Sequence, residues 1–138
     1  MAAVLLVEDE LALRAVLSEY LAFFGHEVTA VAGGEEALAA AGASRPDVIV
    51  SDVLMPGMDG IELCKRIKAQ AGTADIPFLF MTARNVDDAL RSALDSLGDG
   101  SVLKPFEPAA LLEAIRAALF LAPQRRAASA GQSDTRSH

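Results

Sequence analysis

Four short apolar runs lie along the chain, and each gives way to polar residues. Val4-Leu5-Leu6-Val7 leads into Glu8-Asp9-Glu10, Val48-Ile49-Val50-Ser51 into Asp52, Phe78-Leu79-Phe80-Met81 into Thr82, and Ser101-Val102-Leu103 into Lys104-Pro105. Runs this short, with β-branched members and bounded by turn residues, predict strands covered on both faces. A further strand, about Glu27 to Val31, is alternating. Between the strands the apolar positions change to helical spacing. Leu13, Leu17, Leu21 and Phe24 recur until Gly25, an alanine-rich stretch spans Glu35 to about Ala43, and Leu63 and Ile67 lie one turn apart within Ile61 to Gln70. Leu90, Ala93, Leu94 and Leu97 follow, and Leu112, Ile115 and Leu119 come after Pro108, which is well placed in a first helical turn after Glu107, a poorer cap than Asp. Five strand and helix pairs with right-handed crossovers predict an α/β fold, a doubly wound parallel five-stranded sheet in the order 2-1-3-4-5.

That topology changes the meaning of the polar residues. If the strands are parallel, Glu8, Asp9, Asp52, Thr82 and Lys104 converge at the carboxyl edge of the sheet, where ligands bind in folds of this kind. Met55-Pro56-Gly57-Met58-Asp59-Gly60 is turn chemistry and sets Asp52 at a strand end facing a loop. Taken singly, each residue has a plainer role: helix-dipole partner for Glu8 and Asp9, turn former or cap for Asp52, strand-end cap for Thr82, solvated cation for Lys104. One at each of four strand ends makes coincidence a poor account.

Composition narrows the classes of function. A chain of 138 residues, 52 % hydrophobic, suits one compact domain. There is no 18-residue apolar span and no basic start with a small-residue cleavage site, so a cytoplasmic protein without membrane contact is expected. The net charge is −7, and because Pro123 to His138 holds Arg125, Arg126 and Arg136 against Asp134, the remainder carries −9. Such a body repels phosphate backbones, and no direct nucleic-acid binding is expected. The stretch 123–138, poor in apolar bulk, reads as a disordered tail behind a domain spanning 1–122. Cys64 is a packing or surface residue, and His26 is expected to face solvent. Gly33-Gly34 lacks the spacing of a phosphate-binding loop.

Three carboxylates in one pocket repel one another unless a cation is present. A hard divalent ion, magnesium or manganese, takes oxygen ligands and is commonly held by one or two protein carboxylates and a phosphate. Lys104 opposite such a cluster makes sense if an anion sits between them, and a transferring phosphoryl group meets that need, with Thr82 adding a hydroxyl donor. Asp52 is then the nucleophile of an aspartyl phosphate.

The segments VLLVEDE, VSDVLMPGMDG, FMTA and LKPF, in this order and spacing, resemble the signature segments of the receiver domain of bacterial two-component response regulators, over about Ala3 to Leu121. The resemblance is to single-domain, chemotaxis-type receivers with a flavodoxin-like fold. It implies Asp52 as phosphoacceptor, Asp9 as the main carboxylate ligand of Mg²⁺, Glu8 as a helper through water and the backbone carbonyl of Leu54 as a further ligand. Thr82 and Lys104 would bind phosphoryl oxygens, and Lys104-Pro105 would be a cis peptide. The implied partners are a sensor histidine kinase or histidine phosphotransfer protein and a downstream protein target. Leu54 and Arg84 occupy places flanking the path of the hydrolytic water, and with an apolar Leu54 a long-lived acyl phosphate is expected. One departure is Ser101, three residues before the lysine, where receivers commonly carry Tyr or Phe. Two rival readings are a receiver-shaped interaction module without phosphorylation and an aspartyl-phosphate phosphatase. The second lacks its general acid, since Leu54 stands two residues after Asp52.

Overall fold

The computed structural model describes residues 2–83, 88–104 and 107–120. Nine elements alternate in chain order: β1 (Ala3–Val7), α1 (Leu11–Phe23), β2 (Glu27–Val31), α2 (Gly34–Ser44), β3 (Val48–Asp52), α3 (Gly60–Ala69), β4 (Phe78–Ala83), α4 (Asp88–Leu97) and β5 (Gly100–Lys104). A last helix, α5, covers 108–120. All strand pairs are parallel, in the order β2-β1-β3-β4-β5. This is the doubly wound sheet that the apolar periodicity predicts. Asp52 closes β3 as its last residue, at the strand end where it is expected.

The period of two along each strand sorts side chains between two cores. Leu5, Val7, Ile49, Phe78 and Phe80 face one side, where Ala37 and Ala41 of α2, Leu63, Cys64 and Ile67 of α3 and Leu94 of α4 cover them. Val4, Leu6, Val48, Val50, Leu79, Met81 and Val102 face the other, under Leu17 and Leu21 of α1 and Leu111, Leu112 and Ile115 of α5. β3, in the middle, is buried along its whole length, whereas β2 at one edge is largely exposed and carries Glu27. Fully burying one such aliphatic or aromatic side chain contributes about 1.5–3 kcal/mol, so the two cores fix the register that aligns the strand ends.

Two expectations need correction. Phe24 does not extend the buried stripe of α1. The helix ends at Phe23, and Phe24 at its C-cap leans on Tyr20 and Phe23, with ring centroids 5.0 and 5.2 Å away. His26 is half-buried rather than solvent-facing, because Gly25 at φ +94° turns the chain straight back, and the His26 N–H donates to the Leu21 carbonyl at 3.1 Å. Its Nδ1 is enclosed with no hydrogen-bond partner among the described residues. The 123–138 tail, Arg84 and the Lys104-Pro105 peptide lie outside the described residues.

Candidate functional site

The register delivers the polar residues to one place. Val7 pairs with Ser51, so the next residues, Glu8 and Asp52, stand side by side at the ends of β1 and β3. Asp52 pairs with Met81 on its other flank, so Thr82 lies one residue further along β4. Ala83 pairs with Lys104, which sets Lys104 two strands from Asp52, about 10 Å in strand spacings. Its side chain crosses that gap: Nζ lies 2.8 Å from Asp52 Oδ1 and donates to Glu8 Oε1 at 2.9 Å. Carboxylate oxygens of Glu8, Asp9 and Asp52 lie within 4.8 Å of one another. Glu8, Asp52 and Thr82 are buried, while Asp9 is exposed and opens the cluster to solvent.

Electrostatics follows from this crowding. Burial, reinforced by the neighbouring Glu8, pushes the Asp52 carboxyl up to about 7, with Lys104 pulling the other way. Burial also penalises a charged Glu8, but the Glu10 N–H, which donates to Glu8 Oε2 at 3.0 Å, together with Asp52 and Lys104, holds Glu8 below the ordinary carboxylate value. Burial opposes the Lys104 ammonium as well, and its two carboxylate partners outweigh it and raise its pKa. The pocket therefore ionises one buried carboxylate readily and the other reluctantly. An added cation is the natural means of discharging Asp52, and an all-oxygen donor set with one side open to water suits a hard divalent ion.

The loop after β3 is built to hold Asp52 still. Val53 and Met55 are buried in the core below it, Gly57 adopts φ +76°, and Asp59 caps α3 by accepting from the Glu62 N–H at 2.8 Å. The Leu54 side chain between them is exposed. Gly60 donates to the Val53 carbonyl at 2.8 Å and sits so close that an added Cβ would run into the main-chain carbonyl oxygen of Asp52. Two supporting residues escaped the reading of the sequence. Gly60 looks like ordinary turn composition until its approach to Asp52 is seen. Arg14, whose Nη1 donates to the Glu8 carbonyl at 2.9 Å, is the one cation on α1, and nothing in its spacing points to that contact. Ser101 lies exposed on β5 opposite Phe80, so no ring stands there to report on the pocket.

No described helix is long and apolar enough to cross a membrane. Residues 4–116 match the family described as the response regulator receiver domain. The chain is 41 % identical over 119 residues to the transcriptional regulatory protein AfsQ1 of Streptomyces coelicolor, covering 86 % of this chain and 52 % of that one. The chain thus spans about half the length of the curated relatives it matches. A full-length relative with that name narrows the expectation of no nucleic-acid contact to the residues in hand. Among solved structures, the chemotaxis protein CheY4 of Vibrio cholerae superposes with TM-score 0.79 at 36 % identity, over 86 % of this chain and 98 % of that one. The receiver domain of sensor histidine kinase PA1611 from Pseudomonas aeruginosa, solved with a magnesium ion coordinated in its active site cleft, superposes with TM-score 0.78 at 29 % identity, over 86 % and 97 % of the two chains. With the sheet order, the acidic pocket and these likenesses in agreement, the chain belongs to the response regulator receiver family.

Proposed function

We propose that Asp52 is a phosphoacceptor, charged by a phosphohistidine on a partner kinase or phosphotransfer protein. The observation that carries this reading is the Lys104 ammonium reaching both Asp52 Oδ1 and Glu8 Oε1 beside the carboxylate of Asp9. A buried carboxylate flanked by further carboxylates on one side and by an amine and a hydroxyl on the other is suited to receive an anion rather than merely to pair. An Asp52 oxygen attacks phosphorus as the nitrogen–phosphorus bond of the donor breaks, its electron pair returning to the imidazole, and an acyl phosphate forms. Lys104 then exchanges its carboxylate contact for a phosphoryl oxygen, and the Thr82 hydroxyl donates to another. Asp9 and Asp52, with the Leu54 carbonyl and with Glu8 through water, are the residues that would hold Mg²⁺. That ion, when bound, supplies charge neutralisation for the incoming phosphoryl group, in keeping with the magnesium seen in the PA1611 receiver domain. Arg14 holds the Glu8 main chain in place for this, and Gly60 gives the Asp52 strand end its room.

In this reading residues 1–122 form the receiver unit with 123–138 appended. The protein catalyses only its own phosphorylation and hydrolysis, and passes the signal to a downstream protein target. Arg84 and Leu54 set the lifetime of the acyl phosphate, which is long because Leu54 offers no group to orient water. Incubation with acetyl phosphate and Mg²⁺ is expected to give uptake of one phosphoryl group per chain and then stop. Sustained hydrolysis of a large excess of a generic phosphate ester would identify a phosphatase instead, and no uptake from any donor would leave an interaction module.

A further inference from the structure

Gly34 is a glycine that its own backbone does not require. It is the first residue of α2, its φ is not positive, and alanine is the better helix former at such a place. The reason for it lies elsewhere in the chain. A Cβ added at Gly34 would stand 2.9 Å from Met58 Sδ and 3.0 Å from both Met58 Cγ and Met58 Cβ. A new rotamer would carry the sulfur and Cγ away but not the Cβ, so the main chain at Met58 would have to shift. That main chain belongs to the loop that follows Asp52. Gly57 before it adopts φ +76°, Asp59 after it caps α3, and the Gly60 N–H donates to the Val53 carbonyl. Met58 is half-buried and packs on the core that α2 and α3 cover. A second link joins the same part of the chain to the other acidic strand end. The Glu8 N–H donates at 3.1 Å to the carbonyl of Val31, which closes β2 three residues before Gly34. The passage from β2 to α2 therefore bears on Glu8 through Val31 and on the Asp52 loop through Gly34.

We propose that Gly34 and Met58 are positioning residues of the Asp52 pocket. The bare backbone at the start of α2 seats Met58, and the seated Met58 sets the course of the loop on which Asp52 and the Leu54 carbonyl depend. Neither residue touches the reacting atoms. The inference rests on the reading of that pocket as a site for Mg²⁺ and a phosphoryl group, and it adds a support from a helix that contributes no ligand. Coupling between two places in a protein is reciprocal, so filling the pocket is felt in the first turn of α2 as well. Ser101, exposed on β5 without a ring, offers no comparable lever on the other side of the sheet.

Calorimetric titration of the full chain with Mg²⁺ is expected to show Gly34→Ala weakening binding about tenfold, the low end for a group that supports a metal site from outside. Met58→Ala weakens it too, by emptying the seat. In the double variant the added methyl takes up space that the thioether has left, and affinity recovers toward that of wild type. The reversal separates this role from the alternatives. Helix propensity favours alanine at 34 in both backgrounds, and two independent losses of stability would add rather than cancel. Circular dichroism melting confirms that the compared chains are folded, and a fold lost in Gly34→Ala but regained in the double variant reports the same contact. In metal-free protein the Gly60 N–H is expected to exchange about tenfold faster in Gly34→Ala and to be protected again in the double variant. Mg²⁺ binding and Gly60 exchange both unmoved by Gly34→Ala, or an equal effect of Gly34→Ala with and without Met58, would overturn the proposal. A wild type that binds no Mg²⁺ and takes up no phosphoryl group, while Gly60 still responds to Gly34→Ala, would instead overturn the reading of the pocket and leave Gly34 as the support of the Asp52 loop.

Discussion

Asp52 is held at a cost when charged, and that cost has a sign. Its carboxyl titrates near 7 rather than 3.8, so the stability that its retained proton confers is complete below about pH 3.8 and is lost as the pH rises through about 7. Glu8 works in the opposite sense: with its pKa lowered, its contribution is present above the ordinary 4.5 and lost as the pH falls. The two are separable by substitution. In metal-free buffer Asp52→Asn is expected to be more stable than wild type by about 1–2 kcal/mol at pH 8, with the gain shrinking toward pH 5, as read by urea denaturation. Mg²⁺ at about 100 times its Kd should stabilise wild type by about 2.7 kcal/mol at pH 8 and by less at pH 5. Lys104→Ala strands the buried Glu8 carboxylate. With Lys104 itself 26 % exposed, a loss of about 2 kcal/mol at pH 8 is expected in the same measurement, below the 3–5 kcal/mol of a fully enclosed pair. The convergence of Glu8, Asp9, Asp52, Thr82 and Lys104 on one sheet edge was legible from residue type and position at strand ends. Their mutual distances were not, because they depend on a lysine spanning two strands, which no local pattern encodes.

The connection from β3 to α3 is a tight support for Asp52. Two neighbouring substitutions should therefore differ in kind. Asp59→Ala removes only the cap of α3 and is expected to cost about 1 kcal/mol while leaving phosphoryl uptake intact. Gly60→Ala forces a Cβ into the Asp52 carbonyl, so a cost of about 2–3 kcal/mol together with slowed uptake is expected from denaturation and labelling run side by side. At β5, Ser101 faces outward with no aromatic to reposition. Amide chemical shifts with and without beryllofluoride should change near Asp52 and Thr82 and only weakly over α4, β5 and α5. Large changes across that whole surface would contradict this. The elements were readable where the apolar period was strong: β1 and β2 carry the expected boundaries, and α3 is displaced by one residue. The exposed placement of Phe24 was not readable, because periodicity continues through a position where Gly25 has already ended the helix. His26 escaped for the same reason, since the turn and not the residue type decides its burial.

The whole molecule is a sheet whose two faces carry the buried cores and whose carboxyl edge collects the ionisable groups of the site. Strand order followed from alternation and handedness, and the likeness to chemotaxis and transcriptional receivers agrees with it. The exposure of Leu11, Val16 and Phe23 on α1 was not visible in the sequence, because apolar residues that cover a core and those left at the surface are of one type. The role of Asp52 is tested most directly by intact-mass measurement after incubation with acetyl phosphate and Mg²⁺, comparing wild type with Asp52→Ala. The account requires a gain of about 80 Da, the mass of one added phosphoryl group, on wild type and none on the variant. An equal gain on both chains, or no gain on wild type while the fold remains intact, would contradict it.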